Sequence, residues 1–440
     1  MSPPMPALRI LMLSQFYPPV IGGEERHVRS LGSGLADRGH HVKVATQALD
    51  GQPATATELG MELHRLGGTL QRGTRWFSEP QRRHMPPFPD PEFVLNLRRL
   101  VREFRPQVVH AHNWVVHSFA PLKSFADAPL VLTLHDYGLR CAKKNLMHRG
   151  LPCEGPSPGR CLPCASAHYG AVKGVVTTLG NRLMTALSPV DQYLTVSAAV
   201  AQGNQLAAQD KPWTVVPNFI PDEIDGATEQ HDALLAQLPR EPFLLFVGDL
   251  RQQKGLHVVL EAYARLTSQR PPLVLIGRPC PDTPERLPEG VHLLTNWPHG
   301  AVMQAWRRAM LGLAPSIWPE PCATVVLEAM YCGKPMIVSD VGGNPDMVAH
   351  GQTGLLVPPR DTVALSAAMR QLIHDPALRE RMGQAARAKV RDFQAGSVIP
   401  RIEAVYERLI RARRSGRAAD ADLPALDVTA SGRPQRPGDH

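Results

Sequence analysis

A chain of 440 residues exceeds what one hydrophobic core ordinarily organises, so two domains and a tail are expected. Hydrophobic content of 43 % with 20 % charge describes a globular protein, and no apolar run approaches the roughly 18 residues of a membrane span. Residues 1–6 lack a charged and then apolar leader, which makes a cytoplasmic location the expectation, and seven cysteines there speak against a disulfide framework. The net charge of +8 suits anionic substrates or a lipid surface without deciding between them.

Residues 9–14 are apolar and predict a buried strand. Gly22 and Gly23 follow, and Val28, Leu31 and Leu35 then recur at helical spacing up to a break at Gly39. A second strand at 42–45 completes a βαβ unit. The glycine pair is either an ordinary turn or a place where backbone approaches a ligand at a helix start. Residues 61–66 suggest a third strand. The Arg-rich segment 71–105 is either a solvated face or a surface for anionic lipid or an anionic acceptor; it carries Arg72, Arg75, Trp76, Phe77, Arg82, Arg83, Arg98, Arg99, Arg102 and Arg105.

Two further strands end in histidines, at His110 and His112 and at His135 before Asp136. A histidine at a strand's carboxyl edge can hydrogen-bond a sugar hydroxyl or a pyrophosphate oxygen, although a lone one is commonly structural. Cys141, Cys153, Cys161 and Cys164 then fall within 24 residues as C-x11-C-x7-C-x2-C. A structural Zn²⁺ site, free thiols and disulfides all remain open for that loop. Strands at 193–197 and 213–218 precede residues 218–241, a polar stretch expected to link two domains.

Strand alternation resumes at 243–248, and Gly248, Arg251 and Lys254 stand before a helix from 256 to 266. That order suits a clamp on pyrophosphate, with Lys254 as a flexible point charge. A strand at 273–276 leads to Gly277, whose loop is expected to line a base or ribose. The most informative block is 315–340. Leu311 to Pro315 predict a buried strand; Pro319 and Pro321 force an extended loop holding Glu320; and a helix at 324–331 carries Glu328, with Gly333 as its terminator. Free amides around Ala323, Thr324 and Val325 favour a phosphate. One carboxylate in the loop and one in the helix, with amides between, fit the hydroxyl–phosphate–hydroxyl layout of a nucleotide sugar. Helices are expected at 361–375, 376–391 and 398–412, followed by a disordered tail over 414–440.

The two glutamates with Ala-Met, Gly and Pro behind the second, the Gly-Gly-Glu and Gly-His-His-Val blocks and the His-Asp motif occur in the order that resembles retaining glycosyltransferase family 4. A subset with a cysteine loop after His-Asp-Tyr is the nearest match. The resemblance spans about residues 8–410 and implies an α/β GT-B fold, two facing Rossmann-like domains with parallel sheets and a cleft between them. It implies an acceptor-binding domain over 1–217, a linker over 218–241 and a donor-binding domain over 242–390. A helix over 391–413 would cross back to the first domain. By the same resemblance His135, Glu320 and Lys254 act in catalysis, with His112 a weaker second histidine. Glu328, Arg251, Gly248, Ala323, Thr324, Val325, Gly277, Gly22 and Gly23 hold the donor. Where the family has Gly-Arg this chain has Gly248-Asp249, which places an acid near the phosphates and leaves Arg251 as the replacement cation.

The implied reaction moves a sugar from a nucleoside-diphosphate sugar to an acceptor hydroxyl with retention, in cell-envelope polysaccharide, glycolipid or natural-product glycoside synthesis. No cofactor is required and structural zinc is the one candidate ion, since the sole Asp-x-Asp pair, Asp420 and Asp422, lies in the tail. The acceptor is a saccharide, a lipid-linked sugar or a small molecule; nucleic acid is not expected, and peripheral contact with the inner face of the membrane through 71–105 is. An epimerase on the same scaffold and a non-catalytic nucleotide-sugar binder are the alternatives.

Overall fold

The computed structural model describes residues 6–20, 22–69, 72, 84–224, 231–266 and 270–415. Of the Arg-rich segment, Arg75, Trp76, Phe77, Arg82 and Arg83 lie outside the described residues, as do 225–230 of the expected linker and the tail from 416. The chain divides into two units: one built on residues up to Asn218 and rejoined by the chain from Ala395, the other on Phe219–Gln394.

The first unit runs β1 Arg9–Leu13, α1 Gly23–Asp37, β2 His41–Gln47, β3 Thr55–Glu58, β4 Met61–Leu66, α2 Pro91–Phe104, β5 Val108–His112, α3 Val116–Phe119, α4 Lys123–Ala126 and β6 Leu130–Leu134. It continues through a small hairpin, β7 Met147–His148 with β8 Leu151–Pro152, then α5 Pro158–Tyr169, α6 Ala171–Ala186, β9 Gln192–Thr195, α7 Ala198–Gly203 and β10 Trp213–Val215. Its eight strands lie in the order β10-β9-β6-β5-β1-β2-β4-β3. Ile10 is in register with Val42 on one side and Val108 on the other, all parallel. Strands covered on both faces must be apolar throughout rather than alternating, which is why β5 and β6 are buried at every position. Only β3 runs antiparallel, at the edge; its Thr-Ala-Thr-Glu sequence gave no apolar signal.

The second unit comprises α8 Asp232–Leu235, β11 Leu244–Val247, α9 Leu256–Ala264, β12 Leu273–Ile276, β13 Val291–Leu294, α10 His299–Arg308, β14 Leu311–Ala314, α11 Thr324–Tyr331, β15 Met336–Ser339, α12 Asn344–Met347, β16 Gly354–Val357, α13 Thr362–His374 and α14 Pro376–Lys389. All six strands are parallel, in the order β13-β12-β11-β14-β15-β16. Leu244, Phe246, Leu273, Leu275, Leu311 and Leu313 form the centre of its core, under α9 and α13. Asp361 and Asp375 start the last two helices by accepting hydrogen bonds from Ala364 N and Leu378 N, both at 2.8 Å. Gly333 ends α11 at φ 66°, as its position in the sequence predicts.

The closing helix, α15 Ala395–Ser415, belongs to the first unit. Glu403 accepts from Arg38 Nε at 2.8 Å and from His40 Nε2 at 2.9 Å. Among the described residues no helix is long and apolar enough to cross a membrane.

Candidate active site

In a doubly wound sheet, ligands gather at the carboxyl ends of the strands where the order reverses. That point lies between β1 and β5 in the first unit and between β11 and β14 in the second. The predicted residues sit at these two places. Gly22, Gly23, His112 and His135 are in the first unit; Gly248, Arg251, Lys254 and the Glu320 loop are in the second.

In the second unit, β14 ends at Ala314 and the chain leaves the sheet as Pro315 to Pro321. Glu320 is buried there, 6 % exposed, and its ionic partner is Lys254. Ser316 Oγ donates to the other carboxylate oxygen at 2.6 Å, and Trp318 Nε1 donates to it at 3.2 Å. A buried carboxylate without such partners would be strongly disfavoured. The loop is also pinned through its backbone. Ile317 N donates to Gln253 O at 2.9 Å, which ties it to the turn carrying Lys254, and Gly343 N donates to Glu320 O at 2.7 Å from below. Two glycines make these approaches possible. A Cβ on Gly255 would lie 1.9 Å from Pro315 O, and one on Gly342 would lie 2.2 Å from Glu320 O; both residues have positive φ.

Glu328, one turn into α11, is likewise buried and accepts from His299 Nε2 at 2.9 Å. The helix begins at Ala323 without a side-chain cap, so Thr324 and Val325 lie in the first turn, where amides lack side-chain acceptors. Gly248 and Gly277 end neighbouring strands in contact, since a Cβ on Gly277 would meet Gly248 O at 1.8 Å. The acid expected to disturb this region does not stand alone. Asp249 accepts a two-pronged pair from Arg278, at 3.2 and 3.0 Å. The replacement cation is engaged too: Arg251 Nε lies 3.2 Å from Cys280 Sγ and 3.7 Å from Asp249.

In the first unit His112 Nδ1 and His135 Nε2 share a hydrogen bond of 2.9 Å, with their rings stacked. His110 bridges Tyr406 Oη at 2.6 Å and Thr133 Oγ1 at 2.7 Å. Burial holds these imidazoles neutral, pushing His110 down to about 3 and His135 to about 4, the latter against the opposing pull of Asn218 as an acceptor. Burial also lifts Glu24, at the start of α1 and bonded to Asn113, to about 8; Glu25 adds to the lift. Gly22 has extended backbone, at φ −169°, which any residue adopts, and a Cβ on Gly23 would meet nothing within 4 Å.

Cys141, Cys153, Cys161 and Cys164 are free and half-buried. Cys153 Sγ donates to Gly155 O at 3.4 Å and Cys164 Sγ to Met147 O at 3.9 Å. Among the described residues, the three-fold group of potential ligand atoms within 4.8 Å of one another is His27, His112 and His135. Ser316 and Trp318 lie inside the 315–340 block, but nothing in its sequence marks them as partners of Glu320. His299 and Arg278 gave no local signal, because each meets its carboxylate from 29 residues away.

Residues 229–389 match the family model described as Glycosyl transferases group 1, and residues 21–224 the one described as Glycosyltransferase Family 4. The chain is 29 % identical to a glycogen synthase of Mycobacterium tuberculosis (strain ATCC 25618 / H37Rv), over 96 % of this chain and 99 % of the relative. It is 27 % identical to a D-inositol 3-phosphate glycosyltransferase of Pseudarthrobacter chlorophenolicus, over 83 % and 85 %. Among solved structures it is similar to sucrose-phosphate synthase from Thermosynechococcus elongatus, with a TM-score of 0.69 and 20 % identity over 92 % of this chain and 100 % of that one. It is also similar to Anabaena HepE in complex with UDP-glucose, with a TM-score of 0.63 and 19 % identity over 91 % and 99 %. With matching models over both units and the two parallel sheets in place, the chain belongs to glycosyltransferase family 4 and has the GT-B fold.

Proposed function

We propose that the protein is a retaining glycosyltransferase that moves a sugar from a nucleoside-diphosphate sugar to an acceptor hydroxyl and needs no catalytic metal. The observation that carries this reading is the buried Glu320 carboxylate, paired with Lys254 and aimed by Ser316 and Trp318 at the end of β14. In this role Glu320 accepts hydrogen bonds from hydroxyls of the donor sugar. Lys254 neutralises the diphosphate as it leaves, where charge develops in the transition state. Glu328, set by His299, takes the ribose hydroxyls, and the α11 amides of Thr324 and Val325 face the phosphates. The Arg278–Asp249 pair leaves the acid largely compensated, which favours a working donor pocket over a degenerate one. Arg251 assists from the pocket's edge.

His135, held neutral, serves as a hydrogen-bonding group for sugar or acceptor, with His112 fixing its ring. The bond to the leaving diphosphate breaks as the acceptor oxygen attacks from the same face, and the diphosphate oxygen takes the acceptor's proton. Trapping a covalent glycosyl-enzyme would overturn that step. The relatives' names point to hydroxylated acceptors, which supports a saccharide or glycolipid acceptor in cell-envelope or natural-product synthesis, on the cytoplasmic side.

The test is a panel of nucleotide sugars offered to the purified protein beside Glu328→Ala. One donor should raise the melting temperature and slowly release its nucleoside diphosphate, and the variant should lose both effects. Interconversion of a sugar without nucleotide release would establish an epimerase instead. No binding by any donor would leave a non-catalytic relative.

A further inference from the structure

Helix α6, Ala171–Ala186, is built inside out. Its buried residues are Gly174, Thr177, Thr178, Asn181 and Thr185. Gly174 lies against the backbone of α5, where a Cβ would meet Ser166 N at 2.4 Å. Asn181 Nδ2 and Thr185 Oγ1 both donate to Leu139 O, at 3.2 and 3.0 Å. The small and polar face is therefore the one the fold holds. The large apolar residues point outward: Val172, Val175, Val176, Leu179, Leu183 and, at the cap, Leu187 are exposed, from 39 % at Val175 to 80 % at Val172. At about 100° per residue these six fall within roughly 120° of arc, opposite the buried set. Lys173 and Arg182 stand on the two borders of that arc, so the helix presents an apolar strip edged with cations.

The surroundings carry the same sign. Residues 137–190 contain Arg140, Lys143, Lys144, Arg149, Arg160, Lys173 and Arg182 against Glu154, with Asp136 and Asp191 at the two ends of the stretch; Lys144 pairs with Asp136 and Arg160 with Glu154, which leaves the remaining cations in excess. Arg140 lies near enough to Arg182 for the second guanidinium, after burial, to lower its pKa. A two-fold contact through this strip would set that positive charge against its own copy. An anionic bilayer receives both parts, taking the apolar strip among its acyl chains and the cations among its headgroups.

We infer that the outward face of α6, with the basic segment around it, docks the protein onto anionic lipid. The strip lies in the first unit beside Pro87 and Phe88, which stand 3.5 Å from the Cβ position of Gly180, and it uses none of the residues assigned to the donor, so the inference stands or falls apart from the proposed reaction.

The test is flotation of the full-length protein with vesicles of phosphatidylcholine alone and of phosphatidylcholine with an equal part of phosphatidylglycerol. The wild type should float with the phosphatidylglycerol vesicles, less so at high salt, and stay behind with phosphatidylcholine. Leu179→Glu with Leu183→Glu should lower partitioning about tenfold or more, and so should Lys173→Glu with Arg182→Glu. Both pairs are placed on the rim and outer face, so circular dichroism and melting should match the wild type. Absence of flotation with phosphatidylglycerol, or flotation unchanged by both pairs, would sink the inference. A concentration-dependent dimer on light scattering that the leucine pair abolishes would sink it as well, by showing a second copy on this face.

Discussion

Gly342→Ala is the sharpest probe of how the Glu320 loop is held. Gly342 has φ 63°, and its absent Cβ would lie 2.2 Å from Glu320 O, 2.5 Å from Glu320 N and 2.6 Å from the carbonyl carbon of Pro319. All three are backbone atoms, so no side-chain rotation relieves the contact. An ordinary carbon–oxygen contact is about 3.3 Å, so the two segments must part by about 1 Å. The left-handed backbone adds about 1–2 kcal/mol of strain for any residue with a Cβ. Parting the segments also stretches the 2.7 Å hydrogen bond from Gly343 N to Glu320 O. A misplacement of about 1 Å at a reacting group lowers turnover about 100-fold, or close to 2.7 kcal/mol of transition-state stabilisation. Gly351→Ala is the control, because Gly351 also has a positive φ, 76°, but nothing within 4 Å of its Cβ position. It should lose about 1 kcal/mol of stability and none of its activity. The assay is kcat/KM for nucleotide release beside thermal melts of both variants. Equal activity of the two alanine variants would refute the clash argument.

Lys254→Ala should lower kcat about 100- to 1,000-fold while donor KM changes little, as expected for a cation acting mainly on the leaving group; steady-state kinetics separates the two. Arg278→Ala, which leaves Asp249 uncompensated, should raise donor KM about tenfold, and adding Asp249→Asn should recover most of it. Titration calorimetry of a nucleoside diphosphate checks the same order. Glu24→Gln should stabilise the protein increasingly as pH rises from about 4.5 to about 8 and no further beyond, because across that window the unfolded carboxyl ionises while the buried native one holds its proton. Melting curves across that range decide it. In the same variant the buried histidines should dominate on the acid side. Since the unfolded chain binds their protons near pH 6.5 and the folded one only near 3–4 for His110 and His135, stability should fall as pH drops below 6.5.

The strands and the Glu320–Glu328 block were legible because each rests on a local signal. Continuous apolar runs mark strands buried on both faces, and the proline-framed Glu320 with Glu328 one helix later marks a ligand loop. Partners that meet through the third dimension left no such mark. Arg278 reaches Asp249 because the neighbouring parallel strands β12 and β11 carry their loops to the same edge, and His299 reaches Glu328 from the start of one helix, α10, to another, α11. His27 joins His112 and His135 from a helix whose periodicity described only a core face. The cysteine spacing alone left metal, free thiols and disulfides open, and the four thiols of the loop are unbridged in the fold. Helix α6 shows the limit most clearly, since a regular apolar stripe ordinarily means core, and here small residues on the opposite face won the closer packing against α5.

The placement of α15 sets an order on synthesis. The first unit is interrupted by the whole of the second, and its last helix emerges from the ribosome after residues 219–394. Until then Arg38 and His40 lack Glu403, and His110 lacks Tyr406, so the N-terminal sheet waits with buried polar groups open. The second unit is contiguous and faces no such delay. The second unit can therefore mature on the nascent chain first, while the unit with the histidines closes only when translation reaches α15.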